Sequence, residues 1–139
     1  MANAGELLDR WVRTFNEAQW DEGEQLFGAN GVGEEIGTGR TFDAKAGTQA
    51  SKEWRTAFPD AHGVIENRVV AGNQAVGEIV WTGTNQGSLN GMPPTNKRVQ
   101  VRAAVVVTEE GGKIARVRHY IDVAGMLTQL GGMPQPPGR

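Results

Sequence analysis

The stretch RVQVRAAVVVTEEGGKIARVRHYI, residues 98–121, decides the fold. Val99, Val101, Ala103, Val105 and Val107 recur at every second position, so in a strand they share one face. Ala104 and Val106 stand on the other face. Glu110-Gly111-Gly112 is turn chemistry, and it joins Arg98 to Thr108 with Lys113 to Ile121 as a hairpin. Working upstream, His62 to Val70 and Gln74 to Asn85 read as two more strands, turned at Ala71-Gly72-Asn73. Gly87 to Lys97, with Pro93-Pro94, reads as a longer loop.

The first half of the chain changes period. Leu7, Leu8, Trp11, Val12 and Phe15 recur at helical spacing, which predicts an amphipathic helix over Ala4 to Glu17. Trp20 to Phe27 reads as a second short helix, with acidic residues in its first turn. Phe42 to Phe58 reads as a third, with Ala46, Ala50, Trp54 and Ala57 on one stripe. It stops at Phe58-Pro59-Asp60, because the residue before proline resists helix. A short strand is expected around Val32 to Ile36 in the glycine-rich segment, and Val123 to Leu130 closes as a helix. Helices followed by a meander of strands mean α+β. The expected form is a cone-shaped, strongly curved antiparallel sheet, with N-terminal helices enclosing a pocket for a small molecule. Residues 1–131 form one domain in this reading, and 132–139 a Pro/Gly-rich tail.

Composition narrows the function. The chain has 139 residues, a formal net charge of −2 and no cysteine. Disulfides, thiolate nucleophiles and cysteine-type zinc sites are excluded. Nucleic-acid binding needs a basic stripe that is missing here. The longest apolar run, Ala103 to Val107, is too short to span a bilayer. The residues Met1 to Glu6 carry no signal-peptide pattern, and a cytoplasmic location is expected. Gly31-Val32-Gly33 and Gly37-Thr38-Gly39 lack the spacing of a nucleotide loop. Twenty glycines, many beside strands, suit a bent sheet. Apolar residues on both sheet faces predict a homodimer or higher homo-oligomer through the outer face.

Several motifs resemble one family. They are Phe58-Pro59-Asp60, the run Trp81-Thr82-Gly83-Thr84-Asn85-Gln86-Gly87, Gly91-Met92-Pro93-Pro94-Thr95, Gly112-Lys113-Ile114, and Asp122 through Gly125-Met126-Leu127 to Gln129-Leu130-Gly131. In order and spacing they resemble the SnoaL-like polyketide cyclases of the nuclear transport factor 2-like superfamily, over residues 5 to 131. The resemblance implies an enzyme that closes a ring by intramolecular aldol chemistry on a small carbonyl compound, without metal or cofactor. It implies one aspartate as acid and base at the end of the last strand, the place that Asp122 holds. The chain departs from the family pattern at Asn85, where histidine is frequent, and at Gly33, Glu34 and Glu35. Isomerase, dehydratase and epoxide-hydrolase chemistry occur on the same fold. The last would need an Asp-Arg-Asp arrangement, which Arg102 or Arg118 with Asp122 and Glu35 would imitate. A noncatalytic ligand-binding module is the alternative of another class.

The residues have their own two-sided readings. Asp122 is a pocket base whose strength desolvation would raise, or it is the N-cap of the closing helix. Gly125 at the third helical position makes no capping box. Arg118, Tyr120 and Asp122 share one strand face by the period of two, so all three face the pocket if Asp122 does. A bulge ahead of Asp122 would reverse that assignment. With all three in the pocket, Tyr120 would donate to an enolate oxygen and Arg118 would pair with Asp122 or a substrate carboxylate. Otherwise the arginines are solvated surface. Asn85 is a ligand donor or a turn residue. Trp81 and Trp54 are pocket walls or plain core, and Trp11 and Trp20 are core or interface. Glu35, with Glu34, is a second acidic candidate or exposed loop charge. His62 and His119 are too dispersed to anchor a metal, and His119 falls on the face opposite Asp122 in a regular strand.

Overall fold

The computed structural model describes residues 1–132. Its elements are α1 (Ala4–Asn16), α2 (Trp20–Gln25), β1 (Phe27–Glu35), β2 (Arg40–Asp43), α3 (Ala44–Ala57), β3 (His62–Ala71), β4 (Gln74–Thr84), β5 (Arg98–Glu110), β6 (Lys113–Ile121) and α4 (Val123–Gln129). The six strands form one sheet in the order β2-β1-β6-β5-β4-β3. The expected tail lies, from residue 133, outside the described residues.

β5 holds the centre as its alternation requires. Val99, Val101, Ala103, Val105 and Val107 are all buried, and the intervening residues face outward. α1 lies across that inner face. Asn3 caps it, its side-chain oxygen accepting from the Glu6 N–H at 2.9 Å. Ala4, Leu7, Leu8 and Val12 are its buried stripe. Each fully buried leucine contributes about 1.5–3 kcal/mol.

Phe58 ends α3 and is buried under the sheet. Asp60 then fastens this corner to the end of β4: its carboxylate accepts from the Thr84 N–H at 2.6 Å and the Thr84 hydroxyl at 2.9 Å. These bonds hold the Asp60 carboxyl below the ordinary carboxylate range, the backbone bond most of all.

The sheet corrects the expected all-antiparallel meander. β1 runs parallel to β6, while its other neighbour, β2, is antiparallel. A long connection permits a parallel pair, and here it includes everything between β1 and β6. The β1–β2 hairpin extends beyond the expected strand at Val32 to Ile36, because glycines at 28, 31 and 33 obscure its alternation.

α3 explains why the fold is hollow. Its sheet-facing positions Ala44, Gly47, Thr48, Ala50 and Ser51 are small and line a cavity. Ala46, expected on that stripe, is exposed instead. The helix therefore covers the sheet without filling the space beneath. The Thr48 and Ser51 hydroxyls donate back to the carbonyls of Ala44 and Gly47, both at 3.0 Å, which spends their polarity within the helix.

Candidate functional site: an aromatic cavity

The cavity has a volume of about 180 Å³ and opens between the helices and the inner face of the sheet. Trp11 and Phe15 from α1, Trp81 from β4 and Trp54 from α3 are among its walls. Trp11 and Trp81 meet edge to face at 6.2 Å, and Phe15 meets Trp81 the same way at 5.2 Å. Gly63 makes room for this wall: a Cβ there would lie 2.5 Å from the Trp81 ring.

His119 is the polar group set in the wall. Trp11 packs edge to face on its imidazole at 5.4 Å. The Trp81 indole N–H donates to His119 Nε2 at 3.2 Å. An indole nitrogen can only donate, so Nε2 must be the bare acceptor, and the proton of the neutral ring sits on Nδ1. Burial pushes the His119 pKa down to about 4, which keeps the ring neutral at pH 7. Nδ1 makes no hydrogen bond with the described residues. The result is a neutral donor available at the cavity wall.

Glu35 stands beside it. Glu35 and His119 are direct partners in the parallel β1–β6 register, so their side chains share the inner face. One Glu35 oxygen, Oε1, accepts from the Thr38 hydroxyl at 2.9 Å; Oε2 is without a hydrogen bond to the described residues. Glu34 also borders the cavity, but its carboxylate pairs with Arg116.

Trp81, Trp54 and Glu35 thus line the cavity as candidates. Four other candidate positions lie elsewhere, three of them for one reason. β6 pairs Glu109 with Ile114 and Thr108 with Arg116, so Ala115 is an extra residue, a bulge. Ile114 faces inward before it, and Val117, His119 and Ile121 face inward after it. Arg118, Tyr120 and Asp122 consequently lie on the outer face. Tyr120 is 44% exposed there. Arg118 is half-buried, and its Nε has no partner among the described residues.

Asp122 is exposed and borders a shallow outer depression with Tyr120 and Arg102. It caps α4, its Oδ1 accepting from the Gly125 N–H at 2.8 Å. Gly125 leaves room for this cap, since a Cβ there would sit 2.2 Å from the carboxylate. Arg102 pairs with Glu66 at 3.3 Å. Glu35 and Asp122 are therefore on opposite faces, and no Asp-Arg-Asp arrangement forms from these residues.

Asn85, the fourth, is buried but is a latch, not a cavity donor. Its Nδ2 donates to the Gly87 carbonyl at 2.9 Å, and its Oδ1 accepts from the Thr95 N–H at 2.9 Å and hydroxyl at 3.0 Å. The loop of residues 85–97 closes on it, because a buried amide in a turn satisfies the loop's own backbone.

Sequence reasoning alone does not single out His119 as a site residue, reads Trp11 and Trp20 as core or interface, and places Phe15 only on the α1 stripe. The signal was the buried pair Ile114 and Val117, whose odd spacing is incompatible with a regular strand. Among the described residues no three His, Asp or Glu side chains gather as a metal site. No described helix is long and apolar enough to cross a membrane.

Residues 5–130 match the family described as SnoaL-like polyketide cyclase. No curated protein matches the chain. Solved structures do. A proposed SnoaL-like polyketide cyclase from Jannaschia sp. CCS1 superposes with TM-score 0.84 at 19% identity, covering 94% of this chain and 93% of that one. AclR, a proposed hydroxylase from Streptomyces galilaeus, gives 0.83 at 20% identity, with coverage of 95% and 87%. IdmH, a proposed polyketide cyclase from Streptomyces antibioticus, gives 0.82 at 20%, with coverage of 92% and 98%. At such identities these likenesses establish the fold.

Proposed function

Since the chain belongs to the SnoaL-like polyketide cyclase family, we propose that it is a cofactor-independent acid–base enzyme acting on a small carbonyl compound held in the aromatic cavity. One observation carries this reading: a neutral imidazole whose proton Trp81 holds on Nδ1, with a carboxylate beside it. The substrate carbonyl oxygen accepts from His119 Nδ1–H. Glu35 Oε2 removes a proton from the adjacent carbon, and the electrons of that C–H bond form the enolate. The imidazole bond strengthens as charge develops on oxygen, which is where such a donor lowers the barrier. The enolate carbon attacks a second carbonyl of the same molecule. The new alkoxide then takes the proton back from Glu35, so the enzyme is restored. Asp122, the residue the family resemblance suggested, takes no step in this scheme.

The test is hydrogen–deuterium exchange at C2 of 1-indanone in D₂O, followed by NMR. The wild type should accelerate exchange over buffer. Glu35→Gln should lose about 10²–10⁴-fold, the usual worth of a general base, and His119→Phe should also lose most of the acceleration. Exchange at the buffer rate would sink the catalytic reading.

The second reading is a noncatalytic binding module. It is favoured by the placement of Asp122 outside the cavity. Its signature is saturable ketone binding with no exchange above buffer.

A further inference from the structure

We infer that the cavity selects ligands carrying an organic cation, and that the substrate is an amine-bearing carbonyl compound. The inference rests on the cavity being a carbonyl site, and the added claim concerns charge.

The cavity lining contains no lysine or arginine. It contains three acidic residues. Glu34 is neutralised by Arg116. Glu35 and Asp43 have only uncharged partners, the Thr38 hydroxyl and the Ala46 N–H. His119 adds no positive charge, since its ring is neutral. The lining also contains seven aromatic side chains, Trp or Phe. A tryptophan face is the strongest aromatic partner for a cation, and the attraction grows when the cation is desolvated. Four tryptophans, 11, 20, 54 and 81, line this cavity.

The chain's own cations already use two of the lining rings. Arg55 lies over Phe15 at 4.9 Å, and Arg40 over Phe42 at 4.8 Å. Arg55 is committed to the carbonyls of Phe15, Pro59 and Ala61. Arg40 stands across the register from Glu35 on the exposed β2 edge. Neither guanidinium lines the cavity, and none stacks on the four tryptophans among the described residues. A ligand ammonium would meet aromatic faces and two carboxylates there. A ligand carboxylate would meet those same two carboxylates and neutral N–H donors, with no cationic side chain in the lining.

Three para-substituted acetophenones test this: 4-acetyl-N,N,N-trimethylanilinium, its neutral isostere 4-tert-butylacetophenone, and the anion 4-acetylbenzoate. Their affinities for the whole chain are measured by titration calorimetry. The cation should bind at least about tenfold tighter than its neutral isostere, and the carboxylate should bind weakest. In the Glu35→Gln, Asp43→Asn double variant the preference for the cation should shrink to about threefold or less. The Asp43→Asn change keeps the α3 cap, since asparagine caps about as well as aspartate. A neutral isostere that binds as tightly as the cation, a carboxylate that outranks it, or a preference unchanged in the double variant overturns the inference. The ranking is an equilibrium property. Ranking without proton exchange therefore defeats only the catalytic reading, and exchange without ranking defeats only this one. Failure of all three ketones to bind defeats both.

Discussion

The Trp81 indole N–H donates to His119 Nε2 at 3.2 Å, across from β4 to β6, and so determines which nitrogen of the imidazole carries its proton. Replacing Trp81 with phenylalanine keeps the ring in the wall but removes the donor. A hydrogen bond of this kind is worth about 1 kcal/mol net, so the tautomer ratio should shift by about fivefold toward Nε2–H. Nitrogen-15 NMR of the His119 ring reads it directly. A spectrum unchanged in Trp81→Phe would show that something else holds the proton.

Burial also couples His119 to acid stability. Its folded pKa, about 4, lies below the 6.5 of an unperturbed ring. As pH falls, the unfolded chain takes up the proton first. Stability from this group is complete above about pH 6.5, declines between 6.5 and 4, and is lost below. The full loss is at most about 3 kcal/mol, and water entering the cavity would reduce it. Urea midpoints at pH 7 and 4.5 should differ less in His119→Gln than in the wild type. Equal pH slopes in the two proteins would refute the coupling.

Asp122 offers a different contrast. As an exposed cap, its replacement by asparagine should leave both turnover and melting temperature near wild type. Alanine should cost about 1 kcal/mol of stability, the typical worth of a cap. Proton exchange measured on both variants checks the site: abolition of exchange by Asp122→Asn would return this residue to the mechanism.

The outer sheet face predicts self-association. Val69 pairs with Val76, and Val76 with Val106, forming an apolar row across three strands. Val64, Val69, Val76 and Tyr120 are all exposed large side chains. A patch of this kind marks an interaction surface, and a second copy of the chain is the proposed occupant. Light scattering at micromolar concentration should give a dimer mass, and Val76→Glu should give a monomer that keeps its far-UV spectrum. A monomeric wild type would rule the dimer out.

Much of the fold was legible from neighbouring residues. The β5 alternation, the glycine turns at Gly72 and Gly111-Gly112, the α1 stripe of Leu7, Leu8 and Val12, and the stop at Phe58-Pro59 are all local patterns. Each follows from the geometry of one segment, whose period of 2 or 3.6 is written in consecutive side chains. Trp81 and Trp54 could be named as candidates on the same footing, whereas Glu35 could be named only as an acidic side chain, for a pairing with Asp122 that the fold does not make.

The rest depended on pairings between distant segments. β1 joins β6 in parallel, setting Glu35 beside His119, although most of the chain lies between them. The bulge at Ala115 turns His119 inward and Arg118, Tyr120 and Asp122 outward. A single extra residue reverses every side chain beyond it, and whether it is absorbed is decided by hydrogen bonds to Thr108 and Glu109 on the partner strand. The sequence by itself therefore determined the four helices and the strands β3 to β6 to within a few residues, and which face of β5 is core, but not the β1–β2 hairpin. Only the tertiary structure decided which side of β6 meets the cavity, because its phase changes at a bulge whose place is set by pairing with β5.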